Sequence, residues 1–390
     1  MSTNIPLSCA DITDSEIQAA SDALRGETQT LGPWTKRFEK AVASQANASF
    51  GIAFSSASSA MQTALEGLGV KKGDEVIVPT FDSSSTTACV IRLGAIPIFA
   101  DCDARSLNCD ADDVASKINS KTKVIVTSHV FGNPTGIEAI AKIAMKNEIH
   151  LLEDAGQAIG SVVNSRPAGS FGRAAVFAFH STTQLTSLEG GVIVTDDDRL
   201  AASCQSQRNH GLSSDPLYSS NELHQVRTDE RLISLGHSFR LSEVHAAVGV
   251  TQMGRMDEIM KRRGQVSDWY TLKLGGNGDI MCPTFDPQKV HMSWDGYVIR
   301  LSDRFEQEDR DHIIRGLHRH EIGAADYFRP VHTLVPVKNA VQTKSQCPVA
   351  ESISARTLAL PFFTSMTKRE VDIVCQTLEL MMTRSTFAEN

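Results

Sequence analysis

The chain lacks the spacing that cysteine chemistry needs. Its eight cysteines, Cys9, Cys89, Cys102, Cys109, Cys204, Cys282, Cys347 and Cys375, form no C-x-x-C pair. That argues against a structural metal framework or a disulfide scaffold and for a reducing compartment. No apolar run approaches the ~20 residues that would span a bilayer. Met1-Ser-Thr-Asn-Ile-Pro6 has neither the basic nor the apolar segment of a secretory signal. Dense Lys/Arg clusters are missing and the formal charge is −8, so neither nucleic acid nor a membrane is an expected partner. The twelve histidines show no H-x-x-x-H spacing paired with a carboxylate, so no metal is expected. What remains is 390 residues, 41% apolar, enough for two packed domains in a soluble chain expected in the cytoplasm.

Taken in order, the chain alternates. Thr13-Asp-Ser-Glu16 is a capping box ahead of a helix with Ile17, Ala20 and Leu24 at helical spacing, and Gly26 stops it. Gly32-Pro33 turns into a second helix carrying Phe38 and Val42. A serine run, residues 55–59, precedes a helix with Met61, Leu65 and Leu68. Glu75–Pro79, Ile96–Ala100, Val124–Thr127 and His150–Asp154 read as strands, with a helix from about Thr135 to Lys146. Strands separated by helices predict βαβ units and a mostly parallel α/β sheet. Ligands collect at the carboxyl ends of such strands. Ser83, Asp154 and His180 all lie just past strand ends, so one pocket can gather them. A polar stretch from about Gly211 to Arg231 reads as a mobile loop. One long helix then carries Val244, Ala247, Val250, Met253 and Met256. The division is a large domain over 1–265 and a small α/β domain over 266–390.

The organising stretch is Val176 to Gly191, V-F-A-F-H-S-T-T-Q-L-T-S-L-E-G-G: a strand, a compact polar loop and a second strand. It resembles the cofactor loop of the DegT-like sugar aminotransferases, F-S-F-H-x-x-K-x-(I/L)-T-x-x-E-G-G. Further motifs follow in family order: Gly32-Pro33 with Phe38-Glu39, Gly73–Pro79, Gly94–Phe99, Glu153–Gly160 and Arg240–Glu243. Among the branches, the chain is most similar to enzymes acting on UDP-linked 4-keto sugars in pseudaminic acid synthesis, largely through Ser234–Arg240. The resemblance implies the fold-type I architecture of pyridoxal phosphate (PLP) enzymes and a homodimer with active sites at the subunit interface.

That chemistry needs a lysine amine to condense with the cofactor aldehyde, an acid at the ring nitrogen, donors for the phosphate and an aromatic against the ring. Asp154 falls at the ring-nitrogen acid and Gln157 at the contact to the ring hydroxyl. The lysine position holds Thr183, and the phosphate serine is Ala178. The S-G-T turn reads Ser56-Ala57-Ser58. The stacking aromatic falls on Ser83, and the asparagine lent by a partner subunit falls on Ser238. With these parts replaced, no cofactor is expected.

The expected catalytic residues are His180, Asp154 and Thr183. Histidine is the side-chain type suited to acid–base work near neutral pH, and His180 follows the strand at the crevice. Asp154 is a general base in the absence of a pyridinium, or else a structural carboxylate. Asp82 is either a helix N-cap or a ligand contact, and Glu189 a turn or hinge residue. Ser83, Gln157, His210, His237, Ser238, Arg240 and His332 complete the expected substrate contacts, Arg240 as an anion clamp. Three functions stay open: a PLP-independent enzyme acting on a nucleotide-sugar or small polar metabolite; a non-catalytic subunit completing the site of an active paralogue in a heteromer; and a dehydratase or aminotransferase that uses pyridoxamine phosphate (PMP).

Overall fold

The structure, a computed structural model, describes residues 4–213, 232–341 and 345–385. The expected mobile loop falls, over residues 214–231, outside the described residues. In chain order the large part contains α1 (Asp14–Leu24), α2 (Pro33–Gln45), β1 (Phe50–Phe54), α3 (Ala57–Gly67), β2 (Glu75–Pro79), α4 (Ser85–Arg92), β3 (Ile96–Ala100), α5 (Ala111–Lys117) and β4 (Thr122–Ser128). It continues with α6 (Ile137–Lys146), β5 (His150–Asp154), β6 (Val162–Val163), β7 (Arg166–Pro167), β8 (Ala174–Ala178), β9 (Gly191–Thr195), α7 (Asp198–Arg208) and α8 (Glu243–Gly254).

Seven strands form one sheet in the order β1-β9-β8-β5-β4-β2-β3. The expected parallel arrangement holds from β8 to β3. β9 runs antiparallel to both β1 and β8, so the sheet is mixed. Strands such as Val192-Ile193-Val194 can be apolar throughout because both faces are covered. Ile193 joins the cluster around α3, whereas Val192 and Val194 pack with Phe38 and Val42 of α2.

The smaller C-terminal part begins along α9 (Met256–Leu274). It contains β10 (Ile280–Met281), β11 (Val290–His291), β12 (Tyr297–Leu301), α10 (Gln307–Arg319), α11 (Val335–Ala340), α12 (Pro348–Ser354), β13 (Thr357–Leu360) and α13 (Lys368–Ser385). Its own sheet is β10-β12-β13, all antiparallel. Residue 265 lies inside α9. The start of that helix, at Met256 and Ile259, is buried with the large part, and Tyr270 stacks on Tyr297 at 4.8 Å in the small one. Among the described residues, no helix is long and apolar enough to cross a membrane.

Two expectations change. The long helix breaks after Gly254, the poorest helix former present short of proline, and Arg255 leaves helical dihedrals at φ −101°, ψ 6°. Met256 therefore opens α9 rather than closing α8. In α1 the periodic apolar positions are not the buried ones. Ile17 and Leu24 are 60% and 64% exposed, whereas Glu16, Ala19 and Ala23 are buried. Small side chains let α1 approach Ala247 of α8 closely. Glu16 can be buried because Thr13, Gln252 and Arg255 all donate to it.

Glu243 ties the two ends of the large domain together. Its carboxylate, 1% exposed, accepts from the backbone N–H groups of Gly32 (3.0 Å), Trp34 (2.8 Å) and Thr35 (3.0 Å), and from the Thr35 hydroxyl. These are orphan donors at the start of α2, which has no side-chain cap of its own. Glu243→Ala is expected to lower unfolding stability by roughly 2–4 kcal/mol, because three buried donors lose their acceptor. Urea titration measures this. Glu243→Gln, which keeps one acceptor oxygen, should recover part of the loss.

Candidate active site

β3 lies on one side of β2 and β4 on the other, so the chain changes direction across the sheet at this point. Such switch points leave a cleft at the carboxyl edge. A crevice of about 330 Å³ opens there, lined by residues that follow β1, β2, β4, β5 and β8.

Asp154 ends β5. Its Oδ2 accepts from the Thr86 hydroxyl at 2.8 Å and its Oδ1 from the Gly156 N–H at 3.2 Å. Asp82 lies three residues beyond β2 and is 7% exposed. It accepts from the Ser83 N–H at 2.6 Å and from the Ser128 hydroxyl. Ser128 is in register with Asp154, which brings the two carboxyl groups to either side of the end of β4. Asp82 is not the N-cap of α4; Ser84 takes that place. Burial, then the charge of Asp154, pushes the Asp82 carboxyl up to about 7. Burial also raises Asp154, against the pull of its hydrogen bonds and of His129.

His129 and Glu153 form the layer beneath. The imidazole is 2% exposed, with Nε2 2.8 Å from Glu153 Oε2. Glu153 also accepts from the N–H groups of Gly169, Phe171 and Gly172, so its orientation is over-determined. Across the crevice stands the first turn of α3. Ser56 caps it by accepting from the Ser59 N–H, and Ala57 and Ser58 line the cavity. Gly191 permits this approach, since a Cβ there would meet Ala57 Cα at 2.5 Å. The Ser58 and Ser85 hydroxyls are 2.8 Å apart.

The loop after β8 supplies the last wall. His180 Nε2 is 3.1 Å from Glu189 Oε1, and both side chains are about half exposed (50% and 52%). Glu189 thus does more than turn the chain. Thr183 Oγ1 lies 2.7 Å from the carbonyls of His180 and Leu185, so its hydroxyl closes the loop. Gln157 Oε1 accepts from the Phe131 N–H at 2.7 Å.

The crevice therefore gathers Asp82, Ser83, Asp154, Gln157, His180 and Thr183. His210, His237, Ser238, Arg240 and His332 do not line it. His237 stacks on Phe239 at 4.4 Å and reaches Glu66 at 3.3 Å. His210 donates its N–H to the His237 carbonyl. Arg240 donates to Asn209 and Ser238, both at 2.8 Å. His332 is buried between Thr80 (2.6 Å) and Glu351 (3.1 Å). The sequence reading missed Thr86, Ser128 and His129. Ser128 and His129 stand at the end of β4 as Asp154 stands at the end of β5, and the same strand-end rule would have found them.

A close structural match is the Streptococcus pneumoniae protein Spr1654, solved in its PMP form: TM-score 0.92, 24% identity, 98% of this chain and 100% of that one covered. The shared architecture is PLP-transferase fold-type I, a large mixed-sheet domain with a smaller C-terminal one. Two curated proteins are similar along most of their length. One is the spore coat polysaccharide biosynthesis protein SpsC of Bacillus subtilis (strain 168), 31% identical, with 95% of each chain covered. The other is GDP-perosamine synthase of Vibrio cholerae, 28% identical, with 91% of this chain and 92% of that protein covered. The chain belongs to the DegT/DnrJ/EryC1/StrS aminotransferase family, whose model matches residues 10–379.

The expectation of no cofactor is overturned. Spr1654 has been solved in a PLP form as well as a PMP form, with TM-scores to this chain of 0.89 and 0.92. The donor set agrees with this. Asp154, a half-buried carboxylate that ends β5 in the crevice, suits a protonated ring nitrogen. The N-terminal turn of α3, with Ser58 and Ser85, suits a phosphate. Replacement of single donors outweighed these retained features in the sequence reading.

Asp82 titrates with its folded pKa raised from 3.8 to about 7. Between those values the folded chain holds a proton that the unfolded chain has released, so its stabilising contribution is full below about 3.8 and is lost as pH rises through about 7. Wild-type stability should fall from pH 5 to pH 8 in urea titrations. Asp82→Asn should flatten that slope, and an unchanged slope would show that Asp82 ionises normally.

Proposed function

We propose that this chain is a lysine-less sugar aminotransferase homologue that holds PMP, or PLP, without a covalent link and acts with it on a nucleotide-linked keto sugar. One observation carries the reading: the crevice has Asp154 at one end and the first turn of α3 at the other, and no lysine is among its lining residues. Thr183 stands where the family pattern has lysine. A hydroxyl cannot replace an amine in condensing with an aldehyde, and this one is already engaged by two carbonyls. Retention then rests on Asp154 at the ring nitrogen and on the α3 amides, Ser58 and Ser85 at the phosphate.

When bound, the cofactor supplies an electron-withdrawing ring and, as PMP, an amine. The chain supplies the rest. Asp154 keeps the ring nitrogen protonated, fixed in place by Thr86 and Gly156. His180, oriented by Glu189, is the group on the loop able to take or return a proton where the family has its lysine. The names of the curated relatives, a GDP-perosamine synthase and a spore coat polysaccharide protein, support a sugar substrate carried on a nucleotide.

A homodimer completes this reading. The segment with His237, Ser238 and Arg240 stands off its own crevice, beside Leu232, Ile233 and Leu235, which are 50%, 65% and 92% exposed. Such a patch favours burial against a second copy, each lending this segment to the other's site.

Binding is the test. Titration of the purified chain with PMP, read by tryptophan fluorescence, should saturate. PLP followed by borohydride should leave no pyridoxyl mark on the 180–190 loop peptide of the wild type but should mark that peptide in Thr183→Lys. Asp154→Ala should weaken PMP binding about tenfold or more, the scale of a lost charge-assisted hydrogen bond. Absence of saturable binding by either form would sink the reading.

A further inference from the structure

Beside the crevice lies a second cavity of about 240 Å³ that shares Ser83, Gln157 and Thr183 with it. One part of its wall is aromatic. Phe131, Tyr327 and Phe328 form a slab of nearly parallel rings, with centroids 5.3 Å apart for Phe131–Phe328 and 5.1 Å for Tyr327–Phe328, tilted by 11° and 16°. The other notable part is Asp295, the single charged residue among the lining side chains.

The charge of Arg263 acts on that carboxylate, but among the described residues no salt bridge reaches it. Arg263, the nearest cation, spends its guanidinium on the backbone carbonyls of Trp294 and Asp295, each at 2.7 Å. The carboxylate itself accepts from the Gln184 N–H at 3.2 Å. Burial pushes it up to about 7 despite the charge of Arg263. A half-buried acid held this way gains from a cation that arrives with the ligand.

The walls are also held at a cost. Phe131, in the cavity wall, and Trp294, which precedes Asp295, both have left-handed backbones, with φ of 57° and 56°. Bulky residues rarely adopt this conformation, and where they do the surroundings over-determine it. Here the Asp295 N–H donates to the Phe131 carbonyl at 3.2 Å, and the Phe131 N–H donates to Gln157. The strained pair thereby fixes the slab and the acid relative to each other and to Thr183.

We infer that this side cavity is an amine subsite that takes an amino sugar, its ring laid against the Phe131–Tyr327–Phe328 slab and its primary ammonium against Asp295. The choice of a sugar rests on the function proposed above; the requirement for an amine rests on the cavity alone. Aromatic faces attract both cations and the C–H faces of pyranose rings. An ammonium–carboxylate contact is a charge-assisted hydrogen bond that a hydroxyl or an acetylated nitrogen cannot match. Neutral and anionic ligands are correspondingly disfavoured.

Three probes with one ring isolate the amine: glucosamine, glucose and N-acetylglucosamine, titrated into the whole chain and read by saturation-transfer NMR. Glucosamine should bind about tenfold or more tightly than the other two. Asp295→Asn keeps an acceptor for Gln184 and should lose that advantage while still binding PMP. Tyr327→Ala, at a ring 39% exposed, should weaken glucosamine several-fold without unfolding the chain. Equal binding of the three sugars, or an undiminished glucosamine advantage in Asp295→Asn, would overturn the amine subsite even where PMP binds. Loss of PMP binding with glucosamine selectivity intact would instead support the subsite and remove the cofactor reading.

Discussion

One buried and one half-buried carboxyl group, Asp82 and Asp154, on either side of the end of β4 set the terms for everything around them. Asp82 and Asp154 cannot both ionise there cheaply, because Asp82 lies in the field of Asp154 and burial opposes charge on both, with His129 only partly offsetting it at Asp154. A chain can keep such an arrangement only if a ligand supplies positive charge or a proton stays behind. Thr86, Ser83, Ser128 and the Gly156 amide hold the pair in place through direct hydrogen bonds. Asp295, a third acid next to Thr183, repeats the theme. With no lysine among the residues that line either cavity, this region is acidic and suits a ligand that brings positive charge better than a bare anion.

The scaffold meets that demand by satisfying its own buried acids completely. Glu153 receives three amides and an imidazole, and Glu243 receives three amides and a hydroxyl. The acids facing the crevice are left with fewer partners. That contrast separates groups that hold the fold from groups that await a ligand. Backbone strain follows the same division, since Phe131 and Trp294 take left-handed conformations beside the second cavity.

Much of the fold was legible because the relevant physics is local. The capping box at Thr13 forms as read, and the strands at Glu75, Ile96 and His150 begin and end where expected. Such elements depend on patterns within a few residues. The misreadings arose where distant groups decide. The buried face of α1 was set by what α8 could accommodate, and Gly254 broke a helix that periodicity alone would continue. In the site, Asp154, Gln157 and His180 could be found from strand ends and motif positions. Thr86 and Asp295 could not be ranked without knowing what surrounds them.

Sequence alone determined the α/β layering, the family resemblance and the amino acid at each motif position, Thr183 among them, because these follow from periodicity and residue order. Tertiary structure decided which polar groups are paired and which are left wanting a partner. It turned Glu189 toward His180, gave Arg263 to backbone carbonyls rather than to the Asp295 carboxylate, and placed Asp82 within the field of Asp154. Charge and hydrogen-bond balance are sums over neighbours far apart in the chain, and only the folded arrangement defines those neighbours.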